Sequence, residues 1–176
     1  MRKFLLFFWE IAKITIIALL IIVPIRVFIF QPFFVSGASM EPNFHDLDYL
    51  IIDEITYRLG EPERGDVIVF YNPRNTSQRF IKRIIALPGE TIKISQGDVY
   101  IKYSGQEEFF LLNESDYLSE NVKTSGNLII VLKEDQYFVM GDNREASYDS
   151  RNFGTLDEKH IIGRSIIKLL KGEIFN

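Results

Sequence analysis

Two serines and one lysine are the residues of this chain best suited to covalent chemistry. Lys82 lies in "RFIKRIIALPGE" (79–90), an apolar β run with two adjacent cations at its centre. Strand alternation sends Phe80, Lys82 and Ile84 to one face and Ile81, Arg83 and Ile85 to the other. One cation must therefore face the core side. Burial disfavours an ammonium ion, and a lysine held neutral near pH 7 can take a proton from a hydroxyl. The serines, Ser36 and Ser39, lie in "SGASMEP" (36–42), where Gly37 and Ala38 leave room for another backbone and Pro42 ends extended structure. A third segment, "GDNREASYDSR" (141–151), puts three acidic residues, two arginines and Ser147 into a loop after a strand. Taken singly, each has a plain structural explanation. These are two solvated cations on an edge strand, a turn after a helix, and a salt-bridged surface loop.

Other chemistries are excluded more simply. The absence of cysteine removes thiolate nucleophiles, disulfides and thiolate zinc sites together. Two histidines, His45 and His160, do not make a histidine-rich metal site, and neither a metal nor a cofactor is expected. A net charge of −4 argues against nucleic acid as a partner.

The elements that must position these residues begin with a long apolar segment. From Phe4 to Val35 the only charges are Glu10, Lys13 and Arg26, and "ITIIALLIIVPI" with "VFIF" supplies the ~20 apolar residues of a spanning helix. A cleaved signal peptide would have a shorter apolar core, and a buried helix would keep a polar face. A retained transmembrane helix is the reading, with Pro24 able to kink it and Arg26 reaching to a head-group layer. Arg2, Lys3 and Lys13 place the N-terminus in the cytoplasm, so the rest of the chain lies outside. The expected division is an anchor over 1–31 and a β-rich domain over 32–176.

Beyond residue 45 short strand signals alternate with turns: "DYLIIDEIT", "GDVIVFY", "TIKIS", "VYIKYS", "NLIIVLK" and "QYFVMGD". They predict a mainly β chain, an antiparallel barrel or sandwich. Residues 104–127 are polar and weakly patterned, a surface excursion, and "HIIGRSIIKLL" fits a strand or a short helix.

The order of the anchor, "SGASMEP", "GDVIVF" (65–70), "KRIIALPGE" (82–90) and "GDNREASYDSR" resembles the type I signal peptidases of bacteria. These are membrane-bound serine proteases that remove signal peptides from exported proteins, and the likeness covers most of the chain. It implies that Ser39 is the nucleophile, Lys82 the general base, and Ser147 a hydroxyl orienting the lysine amine. Asp142, Arg144, Asp149 and Arg151 match a charged network bracing the site, and Asp142 can pair with Arg83, sparing Lys82 a carboxylate partner. Phe33, Val35 and Ile81 match positions lining shallow pockets for small residues in an Ala-x-Ala-like pattern, the peptide binding as an added strand. The family's oxyanion hole uses the nucleophile's N–H and, in some members, a hydroxyl two residues earlier. That position is Gly37 here, and Ser36, one residue off, would point elsewhere along a strand.

The resemblance further implies a monomer in the bacterial cytoplasmic membrane, acting on preproteins at the lipid surface. Three other readings meet specific obstacles in the sequence. A histidine-type signal peptidase would need histidine at Lys82, and a self-cleaving repressor-type Ser-Lys protease would carry a DNA-binding domain before Ser39. A membrane-tethered β domain acting as a non-catalytic adaptor would not need both Ser39 and Lys82.

Overall fold

A computed structural model of the chain describes residues 2–28 and 30–169, the side chains at 2–3, 5–6, 22–32, 58–59 and 167–169 excepted. Helix α1 (Arg2–Phe28) leads into β1 (Phe30–Phe34), β2 (Tyr49–Asp53) and the single helical turn α2 (Thr56–Leu59). Two hairpins follow, β3 (Val67–Asn72) with β4 (Asn75–Ala86), and β5 (Thr91–Ser95) with β6 (Asp98–Lys102). Then come β7 (Phe110–Leu111), β8 (Leu128–Val131), β9 (Gln136–Met140), α3 (Ser150–Phe153), β10 (Leu156–Asp157) and β11 (Ile161–Leu169).

The backbone of α1 continues as helix through Pro24. The expectations for Arg2, Lys3 and Arg26 concern side chains outside the described residues, as does the stretch 170–176 of the expected β-rich domain. Among the described residues, no helix is long and apolar enough to cross a membrane.

The strands pair antiparallel throughout, in two sheets of order β1-β2-β11-β3-β4-β9-β10 and β7-β6-β5-β8. The mainly β, antiparallel expectation holds, but no barrel is closed. Closure would require the two end strands of a sheet to pair with each other, and β10 offers only two residues, both paired with β9. Within "HIIGRSIIKLL", Ile161–Leu169 forms a strand, β11, because it sits between β2 and β3 and completes both their ladders. At Gly163 in β11 an added Cβ would lie 2.3 Å from the Asp53 carbonyl oxygen, so only glycine fits that crossing.

Period-two patterning explains the core. Val67 and Val69 of β3 join Ile81, Met40, Leu50 and Ile52 on one face, while Ile68 and Phe70 join Ile84, Tyr137 and Val139 on the other. A third cluster (Ile85, Ile92, Ile94, Ile101, Phe138 and Met140 among its members) binds the smaller sheet to the larger. The β5–β6 turn uses Gln96 and Gly97, both at positive φ, as a tight primed hairpin turn requires.

Residues 104–127 are less detached than their composition suggests. They contribute β7 to the smaller sheet, and Leu112 and Tyr117 pack on the third cluster. Thr124 is buried, and Glu114 pairs with Arg144, a fully buried side chain that also reaches Thr124. Removing one partner of a buried pair leaves the other charge uncompensated. Glu114→Ala is therefore expected to cost roughly 3–5 kcal/mol, measured as a lower urea midpoint at unchanged slope.

Candidate active site

The nucleophile candidate stands just past β1, where the strand stops. Val35 N–H donates to Asp48 O and Leu47 N–H to Val35 O, tying the loop to the approach of β2. At Gly37 the backbone turns to φ +88°, its N–H donating to Asp46 Oδ1 at 2.7 Å. A non-glycine residue would be strained there, while the space around it is open. The chain then makes a turn over Ser39–Met40, with Phe44 N–H donating to Met40 O. The Met40 side chain is fully buried in the cluster shared with Leu50 and Ile81. The methionine thus works as a plug that ties its half-buried neighbour Ser39 to the core.

Lys82 arrives from the β3–β4 hairpin, opposite Ile68. Its side chain is 3% exposed, and Nζ lies 2.7 Å from Ser39 Oγ and 2.8 Å from Ile81 O. The Phe80 ring stands 5.6 Å away. Burial pushes the Lys82 amine down to about 8, against the raising influence of Asp149 and Asp142 and with a small lowering one from Arg151. Each of the two carboxylates is itself bound by a guanidinium.

Asp142 takes two bonds from Arg83, at 2.8 and 2.6 Å, and one from Asn43 Nδ2 at 2.9 Å. Arg83 also lies over the Tyr117 ring, 4.2 Å from its centroid. Asp149 takes two from Arg151, at 2.9 and 2.8 Å, and one from Gly141 N–H at 3.0 Å. Burial opposes the charge on Asp149, but the Arg151 guanidinium outweighs it and holds the carboxyl below the usual carboxylate range. Asp149 also caps α3, so the loop and the helix start share one anchor. Arg144 donates to Gly141 O at 3.1 Å, and its own carbonyl accepts from Arg151 at 2.8 Å.

Ser147 is close by but does not touch the lysine. Its Oγ is buried without a partner at hydrogen-bond distance among the described residues, and lies near enough to Asp149 to favour that charge. A Cβ added at Gly141 would come within 2.3 Å of both Ser147 Oγ and the Ser39 carbonyl oxygen. Gly141 is the clearance that lets loop and nucleophile meet.

A cavity of about 170 Å³ opens beside Ser39 and Lys82, lined also by Phe33, Ser36, Ile81 and Tyr148. Of the three expected pocket residues, Phe33 and Ile81 line it, while Val35 is buried in the core behind. Ser36 lines it too, because the strand ends at Phe34 and alternation no longer governs direction. A larger cavity, about 610 Å³, lies against Glu41, Pro42, Leu118 and Asn143 and holds neither Ser39 nor Lys82. Among the described residues, no group of three or more histidines or carboxylates is placed to hold a metal ion.

Sequence reasoning did not single out Asn143, Glu114 or Thr124. Asn143 donates its N–H to Ser39 O and its Nδ2 to Ala38 O, both at 3.1 Å. No periodicity marks these residues; only the chain's return to Ser39 and Arg144 gives them partners.

Residues 8–170 match the family described as signal peptidase, peptidase S26. The chain is 36% identical over 165 residues to a Synechocystis sp. protein named "Probable signal peptidase I-2", covering 90% of this chain and 72% of that one. It is also 36% identical over 167 residues to the signal peptidase I of Bacillus licheniformis, covering 93% and 88%. Among solved structures, a signal peptidase I from Enterococcus faecalis V583 is 32% identical, with a TM-score of 0.49, covering 61% of this chain and 98% of that one. With matches of this extent, the chain belongs to the signal peptidase family, peptidase S26, a family of serine endopeptidases.

Proposed function

We propose that this chain removes signal peptides from exported preproteins by Ser39–Lys82 acyl transfer. The observation that carries the reading is the 2.7 Å approach of Ser39 Oγ to a buried lysine amine. Neutral Lys82 takes the Ser39 proton as Oγ attacks the scissile carbonyl carbon, and the carbonyl oxygen becomes an oxyanion. The carbon–nitrogen bond then breaks, and the lysine ammonium returns its proton to the departing amine of the mature chain. An ester on Ser39 remains. Water loses a proton to Lys82 while attacking that ester, Ser39 Oγ takes the proton back, and the signal peptide leaves as a carboxylate. Such a base contributes most when its pKa lies near the working pH, which burial of Lys82 supplies.

The small cavity between Phe33 and Ile81 suits residues such as alanine before the scissile bond. An extended peptide beside β1 and β4 would add a strand there. Ser147, adjacent to the Asp149 carboxylate, is proposed to orient the amine once substrate excludes water.

The membrane reading belongs to the same proposal. Helix α1 spans 27 residues, and the apolar side chains at Phe4, Phe8, Ile14, Ile17, Leu20 and Ile21 are exposed around it. A single pass through the bacterial cytoplasmic membrane, with the β domain outside as a monomer, would bring Ser39 to emerging cleavage sites. A tethered, non-catalytic adaptor would leave the Ser39–Lys82 contact without use.

Three outcomes check the mechanism. Ser39→Ala should abolish preprotein processing, and Lys82→Met should lower kcat/KM by roughly 10²–10⁴-fold. Undiminished cleavage by either variant sinks the dyad. For the wild type, kcat/KM should be low in acid, where Lys82 is an ammonium, and rise through an apparent pKa of about 8. A profile flat across that range contradicts a lysine base. Gly141→Ala, which displaces Ser39 and Ser147 together, should cost about 10²-fold in kcat/KM, the scale of a ~1 Å misplacement.

A further inference from the structure

The oxyanion that forms on the scissile carbonyl needs preorganised donors. Gly37 carries no hydroxyl, and Ser39 N–H has no acceptor among the described residues, so it is available as a donor. What holds that N–H in place is visible one peptide away. Asn143 Nδ2 donates to the Ala38 carbonyl at 3.1 Å, and Asn143 N–H donates to the Ser39 carbonyl at 3.1 Å. The asparagine's orientation is itself fixed, since its Oδ1 accepts from Ala146 N–H at 3.1 Å. One residue thus grips the carbonyls on both sides of the nucleophile.

We propose that Asn143 is a positioning residue for the oxyanion hole, holding the Ala38–Ser39 peptide so that Ser39 N–H serves as its main-chain donor. The proposal rests on the Ser39–Lys82 reading above. In a trans peptide the carbonyl and the N–H point in opposite directions. The Ala38 carbonyl accepts from Glu41 N–H at 3.2 Å as well as from Asn143 Nδ2, and pinning it by both aims the Ser39 N–H away from the loop. A carbonyl that accepts a hydrogen bond also makes its own peptide N–H a stronger donor, because bonds in a chain polarise one another. In a site with no hydroxyl at Gly37, such strengthening of the remaining donor acts in the transition state and hardly in the ground state.

Asn143 is not a core residue: it is partly exposed and borders the cavity beside Glu41 and Pro42. Asn143→Ala removes the side-chain grip, and Asn143→Asp keeps an acceptor for Ala146 N–H while setting an oxygen against the Ala38 carbonyl. In preprotein cleavage by the full-length chain, both variants should lose kcat by at least about 10-fold, approaching the ~10²–10³-fold of a lost oxyanion donor. KM should stay at wild-type values in both variants, and the apparent pKa of kcat/KM should stay there in Asn143→Ala, which adds no charge. Affinity for a peptide aldehyde, which forms an oxyanion-like adduct on Ser39, should fall in parallel with kcat. Unchanged kcat in both variants overturns the proposal. So does a loss carried by KM or by a lowered melting temperature with aldehyde affinity unchanged. Ser39→Ala, assayed alongside, separates the two levels: processing by that variant sinks the dyad itself, whereas an inactive Ser39→Ala beside unimpaired Asn143 variants sinks this proposal alone.

Discussion

A buried lysine amine set between two carboxylate–guanidinium pairs is the arrangement on which the proposed chemistry depends. Asp142 and Asp149 both act on Lys82, and either could hold it as an ammonium. Each is instead bound in fork geometry by a guanidinium, Asp142 by Arg83 and Asp149 by Arg151. Arginine suits this role because it stays charged and its planar fork matches a carboxylate. Desolvation is the largest influence on Lys82 and brings its amine down to about 8. Buried charged networks add little net stability. Their effect here is on the base strength of one nitrogen.

The scaffold supplies the precision this demands. The β3–β4 hairpin presents Lys82 and Arg83 to opposite faces, so neighbours in sequence take different partners, one Ser39 and the other Asp142. Met40 fixes Ser39 from beneath by burying its side chain in the larger sheet's core. The loop over 141–151 is held at both ends, by the Asp149 cap of α3 and by Arg144 reaching to Glu114 and Thr124. The smaller sheet is therefore mechanically joined to the catalytic loop, although it contributes no residue to the cavity beside Ser39.

How much of this could be read from the chain alone depended on whether the information was local. Alternation within one apolar run puts Lys82 and Arg83 on opposite faces, while the choice of Lys82 and the place of Asp142 in the charged network rest on the resemblance to the family. The strands and their antiparallel pairing were legible from short runs and turns. Barrel closure was not, because it depends on the pairing of β1 with β10, strands at opposite ends of the sheet. Ser36 lines the cavity beside Ser39, beyond Phe34, where the strand and its alternation end. Val35, expected at a pocket, is buried in a cluster that Phe33 also packs against. Glu114 and Asn143 gave no signal at all, since their partners lie 30 and 105 residues away in sequence.

The hairpin that carries the lysine has two mechanical regimes. At its tip the register shifts between Tyr71 and Asn72, and residues 74–79 are exposed. An irregular ladder of this kind can absorb an extra residue without passing the change along. In the trunk, from Arg79 to Arg83, each residue has a fixed opposite number on β3. A single deletion there would rotate every side chain to the other face. Arg83 would then stand where Lys82 does, and a guanidinium, which does not lose its proton in proteins, would meet the serine. The chemistry of the molecule is thus encoded as much in the parity of a strand as in the identity of a residue. Its evolutionary freedom to change length ends a few residues short of the site.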